Sequence, residues 1–126
     1  VRDIYIAVRG AGGVADELHL VTEQGTYKIV SEYNIRCVLN DGESNIMRQD
    51  GSTVASTSLL PSAFFVITVN KDKEKVTGYT LNGGGFGHGV GMSQNGAKHM
   101  AEAGYHANDI LLFFYDGCMV KNVYGA

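Results

Sequence analysis

Proline is almost missing from this chain: one residue in 126, against 17 glycines. The glycines are concentrated near residues 83–96, so they mark a site more than a flexible composition. Long apolar runs are missing as well. None approaches the roughly 20 residues that cross a bilayer as a helix, so no membrane contact is expected from this segment. Residues 1–6 read as a strand, with neither the basic start nor the apolar centre of a secretion signal. The chain opens without Met, which suggests a processed product or a part of something longer. There is no basic stripe: formal net charge is −3, which argues against a nucleic-acid binder. The two cysteines, Cys37 and Cys118, lack C-x-x-C spacing, which excludes a four-cysteine zinc site. They read as two buried thiols too isolated to be nucleophiles, with a disulfide open to them in an extracellular protein.

What is present is enough apolar residue for a core, 44% of the chain, at a length that suits one domain over residues 1–126. No internal repeat or linker divides it. "DIYIAVRG" alternates as a strand. "ELHLVTEQGTYKIVS" reads as a hairpin turning at Gln24-Gly25. "SEYNIRCVLNDG" has helical spacing at Ile35, Val38 and Leu39, with Ser31 as cap and Gly42 as stop. Residues 40–58 read as loop with a short strand. Residues 64–69 and 76–81 are a second hairpin around the charged "NKDKEK", a solvated turn. Ser93 caps a helix that ends at Gly104, with Ala97, Met100 and Ala101 on one face. "ANDILLFFYDG" is another helix, with Ile110, Leu111 and Phe114 inward, and "CMVKNVYG" a closing strand. The expected fold is α+β: mostly antiparallel sheet or a partly closed barrel, with two or three short helices, two of them near the C-terminus.

The segment "GGGFGHGVGMSQNGA" fits no phosphate loop. No register satisfies G-x-G-x-x-G. A Walker loop fails because Ala97 stands where Lys is needed after Gly96. If extended, the segment places Gly85, Gly87, Gly89 and Gly91 on one bare face, against which a backbone or a flat sugar ring can come close. Each such glycine costs about 0.5–1 kcal/mol relative to Ala inside a regular element, so close packing, positive φ or a ligand must compensate. A loop crossing under another strand is the plain alternative. At the strand-to-helix junction, free N–H groups with the Ser93 hydroxyl and Gln94 amide offer a site for an anionic or carbonyl oxygen. Ser93 as a cap alone is the plain reading. "GMSQN" has Asn95 where a nucleophile elbow needs Gly, so Ser93 is not a nucleophile. His88 is the titratable group of the segment: an acid/base, a ligand donor, a metal ligand or a structural histidine.

The run "GGGFGHGVGMSQNGAKHMAEAGYHANDILLFFYDG" closely resembles the signature of the stage II sporulation protein D and amidase-enhancer family, with GHGVGMSQ matched without a gap. "YNIRCVL" and "LLPSAFFVI" resemble further family segments. The resemblance covers most of the chain, most strongly residues 58–117. It implies an extracytoplasmic bacterial wall protein, either in the cell wall or anchored through a segment before this one. It implies peptidoglycan glycan strands, and other wall hydrolases, as partners. Family members include lytic transglycosylases acting in sporulation engulfment and enhancers of wall amidases. The implied chemistry uses one carboxylic acid to protonate the leaving oxygen and then accept a proton from the sugar's own hydroxyl. The family's catalytic glutamate precedes the part matched here, so no catalytic residue is assigned and this chain alone is expected to be inactive. Glu102 reads as a helix-surface residue. His88, Ser93 and Gln94, with Gly87, Gly89 and Gly91, are the expected substrate-binding residues; Asn95 replaces the family's usual aromatic. The runner-up is a non-catalytic wall-binding or amidase-enhancing module, and a third reading is a structural interaction domain. No cofactor is expected. Zinc is a side reading through His19, Cys37, His88, His99, His106 and Cys118, none at a recognised spacing.

Overall fold

The computed structural model describes residues 1–55 and 58–124, in two compact units, Val1–Gly89 and Val90–Ala126. The first contains β1 (Asp3–Arg9), β2 (Ala15–Thr22), β3 (Gly25–Val30), α1 (Glu32–Val38), β4 (Asn45–Met47), β5 (Thr53–Ala55), β6 (Phe65–Asp72) and β7 (Lys75–Gly83). β1, β2 and β3 form an antiparallel sheet in that order; β4–β5 and β6–β7 are antiparallel ribbons. The fold is the expected α+β with mainly antiparallel strands, and the sheets do not close into a barrel.

Alternation decides which face of the first sheet is inside. Ile4 pairs with Leu20, Ile6 with Leu18, and Leu18 with Ile29. Because strand side chains alternate, these positions share one face. Ile4, Val14, Ala15, Leu18, Ile35, Ala63 and Phe65 form the buried cluster, with Ile67, Val69 and Leu81 of the second hairpin packed against it. Burying each large aliphatic side chain contributes about 1.5–3 kcal/mol. α1 starts where Ser31 Oγ accepts the Asn34 N–H at 3.4 Å, as its sequence suggests. It ends at Val38, short of Gly42.

Two arginines bind the irregular segments to this core. Arg9 donates to the carbonyls of Gly13 and Phe65, both at 2.7 Å, fastening β1 to the start of β6. Arg36, buried on α1, donates to the carbonyls of Leu60 at 2.7 Å and Pro61 at 3.2 Å, and to Glu32 at 3.1 Å. Charge-assisted bonds of this kind are stronger than neutral ones, and here they hold a stretch that has no ladder of its own.

Several local expectations need correction. Thr22 pairs with Gly25, so the first hairpin turns at Glu23-Gln24 and Gly25 belongs to β3. The second hairpin runs on through the charged residues to a turn at Lys73-Glu74, because cross-strand pairing continues to Asp72↔Lys75. Residues 40–58, read as loop with a short strand, contain two short strands that pair as the β4–β5 ribbon.

The second unit contains α2 (Gln94–Glu102) and α3 (Ala107–Phe114). Ser93 Oγ accepts the Gly96 N–H at 3.0 Å, and Gly104 follows α2 with φ +93°. A Cβ on Gly96 would lie 3.0 Å from Phe114 Cζ, so the missing side chain lets α2 and α3 approach. Asp109 accepts the His106 N–H at 3.1 Å at the start of α3. Ile110 is buried, with Leu111 and Phe114 half-buried, which agrees with the inward face read from the sequence. The expected closing strand at 118–125 does not form over 118–124: no strand lies within this unit among the described residues to pair with it.

Candidate functional site

The glycine-rich loop begins where β7 runs out of partner. Gly83 pairs with Phe65, and a Cβ there would overlap the Phe64 carbonyl oxygen, so only glycine fits. Gly84 N–H then donates to Phe64 O at 3.0 Å and Gly87 N–H to Pro61 O at 2.8 Å. Pro61 O is also an acceptor for Arg36, so α1 helps to fix the loop. Gly85, Gly87 and Gly89 have φ of +83°, +112° and +69°, while Phe86 and His88 do not have positive φ. The period of two is therefore an alternation of backbone handedness. It is not the extended strand with one bare face expected from the sequence, and Gly91 lies outside the positive-φ set. L-residues avoid this region and glycine enters it freely, which explains why glycine recurs at every second place.

The three glycines have different surroundings. At Gly89 a Cβ would lie 2.5 Å from Val14 Cγ2, so this turn is packed directly on the core of its own unit. At Gly87 nothing lies within 4 Å, so backbone conformation alone demands glycine there. A Cβ on Gly85 would lie 3.5 Å from Ser62 Oγ, an ordinary contact distance. The loop presents His88, exposed, and Phe86, which is 95% exposed. A phenyl ring held in water on a conformationally restricted loop has no packing role within the described residues. Phe86 was not among the expected binding residues, although its place between two glycines was a signal.

At the root of the loop is a shallow cavity of about 300 Å³, lined by Arg9, Gly13, Phe64, Val66, Asn82 and Gly83 among others. Phe64 is half exposed beside it and packs over Gly13, where a Cβ would lie 2.8 Å from the ring. Arg9 and Arg36 are thus the supporting residues that sequence reasoning missed. Neither lies in the glycine segment, and nothing in their local spacing announces a carbonyl-binding role.

Of the expected binding residues, Gly87, His88 and Gly89 belong to the first unit, and Gly91, Ser93 and Gln94 to the second. Ser93 is occupied as a helix cap; Gln94, the first residue of α2, is exposed. Within the second unit Met92 N–H donates to Tyr115 Oη at 3.4 Å. Glu102 is exposed and pairs with Lys98 at 3.7 Å, in keeping with a surface residue of α2. Both cysteines are free thiols; Cys37 is half-buried and Cys118 exposed, which corrects the expectation of two buried thiols. Among the described residues no three His, Cys, Asp or Glu side chains come together in a metal-holding group. No helix among them is long and apolar enough to cross a membrane.

Residues 1–91 match a family described as a domain of unknown function, DUF8618. The chain belongs to this family. It is also similar to the amidase enhancer of Bacillus subtilis (strain 168), 55% identical over 51 residues, which are 40% of this chain and 7% of that protein. Stage II sporulation protein D of Bacillus amyloliquefaciens is 55% identical over 38 residues, 30% of this chain and 11% of that protein. An uncharacterized protein of Brachyspira hyodysenteriae is 39% identical over 84 residues, 67% of this chain and 20% of that protein. These matches bear out the resemblance to stage II sporulation protein D and amidase enhancer. The aligned part is a fifth or less of each of these relatives. No solved structure matches the chain.

Proposed function

We propose that this chain is a glycan-contacting part of a larger extracytoplasmic protein acting on bacterial cell-wall peptidoglycan, a lytic transglycosylase of the kind used in sporulation engulfment. The observation that carries the reading is the glycine loop. Its backbone is fixed by Pro61 and Val14, and it holds an exposed Phe86 ring next to an exposed His88. An aromatic face covers the apolar side of a sugar ring, and an imidazole donates to or accepts from its hydroxyls. Gly87 and Gly89 set the turn. Gln94 and the backbone at Gly91 and Ser93 are contacts carried by the signature, on the second unit. The carboxylic acid belongs to another part of the larger protein. It protonates the glycosidic oxygen and then removes a proton from the sugar's own hydroxyl, with no water nucleophile.

A second reading is a non-catalytic wall-binding or amidase-enhancing module, favoured by the relative named amidase enhancer. Both readings require glycan binding, so binding is tested first. Glycan strands stripped of stem peptides should bind the chain, and Phe86→Ala and His88→Ala should each weaken binding about tenfold or more, equal to ~1.4 kcal/mol. Unchanged affinity in both variants overturns the loop assignment. Release of anhydro-muropeptides by a longer protein containing this chain separates the enzyme from the module.

A further inference from the structure

Away from the glycine loop, the outer face of the first sheet carries a connected chain of four polar side chains. Tyr5, His19 and Lys28 are cross-strand neighbours on β1, β2 and β3, and Glu17 lies two residues from His19 on the same face of β2. Tyr5 Oη is 3.0 Å from His19 Nδ1, His19 Nε2 is 2.7 Å from Glu17 Oε1, and Lys28 Nζ is 2.5 Å from Glu17 Oε2. The side chains of His19 and Glu17 are only 23% and 17% exposed, so the centre of this chain is partly shielded while its Tyr5 end is open.

Chemistry fixes the direction of the protons. An ionised carboxylate only accepts, so Nε2 must carry the hydrogen that meets Glu17. In a neutral imidazole Nδ1 is then a bare lone pair, and the Tyr5 hydroxyl must donate to it. Lys28 and His19 both hold Glu17 in its ionised form, which lowers its proton affinity. The result is a hydroxyl bound to a base that is oriented by a carboxylate, the arrangement that activates nucleophiles generally. Asp3 also lies on this face of β1, two residues from Tyr5, and its Oδ1 accepts the Ile4 N–H at 2.9 Å.

We propose that Tyr5 is an activated phenol that accepts acyl groups from carboxylic esters, with His19 as its base and Glu17 as the residue that positions the base. In the step, Tyr5 Oη attacks the ester carbonyl carbon and its proton passes to His19 Nδ1. The bond from that carbon to the alcohol oxygen breaks, and the alcohol leaves with the proton from His19. Water then hydrolyses the acyl-tyrosine to the carboxylic acid and the free phenol.

Exposure and activation make opposite forecasts, which gives a clean test. Tyr27 and Tyr33 are more exposed than Tyr5, 53% and 59% against 43%. Exposure alone would therefore acylate Tyr5 more slowly than either of these two. The folded chain is treated with p-nitrophenyl acetate at neutral pH, and the acetylation rate of each tyrosine is followed by peptide mass spectrometry. Tyr5 should react at least tenfold faster than Tyr27 or Tyr33. His19→Ala should slow Tyr5 about 100-fold, at the low end of general-base effects, and free imidazole should restore part of the rate. Glu17→Gln should slow it less, with Glu17→Asp retaining more than Glu17→Gln. Circular dichroism and the unchanged rates of Tyr27 and Tyr33 establish that the variants are folded. Acetylation of Tyr5 no faster than that of Tyr27 and Tyr33 overturns the proposal. So does a fast rate at Tyr5 that neither His19→Ala nor Glu17→Gln reduces.

Discussion

In the first unit, β1, β2, β6 and α1 supply five of the seven apolar side chains of one buried cluster, and Val14 and Ala63 come from the segments before β2 and β6. In the second, Ile110 is the one buried apolar residue among those described, while Leu112, Phe113, Met119 and Val123 are exposed. The first unit gains its order from non-local packing. The second relies more on local devices, the Ser93 cap and the glycine at 104, with the approach of Phe114 to Gly96 joining its two helices. Isolated helices of nine and eight residues are marginal in water, so such devices carry proportionately more weight there. The glycine loop is the last part of the core-bearing unit, and its rigidity comes from the residues beneath it.

The sharpest break in this comparison is a pair of core truncations. Leu18 is fully buried at the centre of the cluster, so Leu18→Ala should destabilise the first unit by about 2–5 kcal/mol. Ile110→Ala should cost less, about 2 kcal/mol, because its surroundings can collapse into the space. Denaturant unfolding followed by tyrosine fluorescence and by helical circular dichroism gives both values. Equal costs at the two positions would remove the distinction between a packed and a locally supported unit.

The next effect separates conformation from contact within the loop. Gly89→Val meets both a positive φ and the Val14 methyl, and should cost about 1–3 kcal/mol by overpacking plus backbone strain. Gly87→Val meets only the backbone restriction, since its surroundings are open, and should cost about 1 kcal/mol. Thermal melting ranks them. Should Gly87→Val prove the worse of the two, the loop is not seated on Val14. A Val14→Ala background should selectively relieve Gly89→Val, because the two residues share one contact.

The same contrast governs what could be read from the sequence. Alternation in residues 3–10 and strand-forming residues over 17–31, 64–69 and 76–81 pointed to strands, because such residues pack a face against the core. Ser31, Ser93 and Gly104 marked helix ends through local chemistry that needs no knowledge of the fold. Strand-like composition failed at 118–124, where pairing depends on a partner that composition does not report. At the candidate site, the signature located the loop and His88. The period of two was read as an extended face, yet it fits alternating handedness as well, and positive φ, one of the compensations considered, is what Gly85, Gly87 and Gly89 adopt. Arg36 could not be found because its acceptors, Leu60 and Pro61, are 24 and 25 residues away.

The smallest expected effect lies on the outer sheet face and concerns acid. Lys28 first, and then His19, holds the Glu17 carboxyl below its ordinary value of 4.5 through hydrogen bonds. A carboxyl depressed in the folded state stabilises the fold above its unfolded value and loses that contribution as pH falls through its folded value. Two other carboxyls of the first unit act in the same direction: Asp41, lowered by Ser44, and Asp50, lowered by Ser52. Stability should therefore decline as pH falls from about 5 toward 3, and the decline should be shared among several groups. Lys28→Met removes the largest cause at Glu17 and should flatten part of that decline, leaving the shares of Asp41 and Asp50. The effect should shrink in 1 M salt, where the Debye length falls to about 3 Å, because Lys28 is more than half exposed. Urea midpoints measured across this pH range at low and high salt check each point. An acid slope identical in Lys28→Met and the parent would show that the Lys28–Glu17 bond is not maintained in solution. In the relay to Tyr5, Glu17 would then be held by His19 alone.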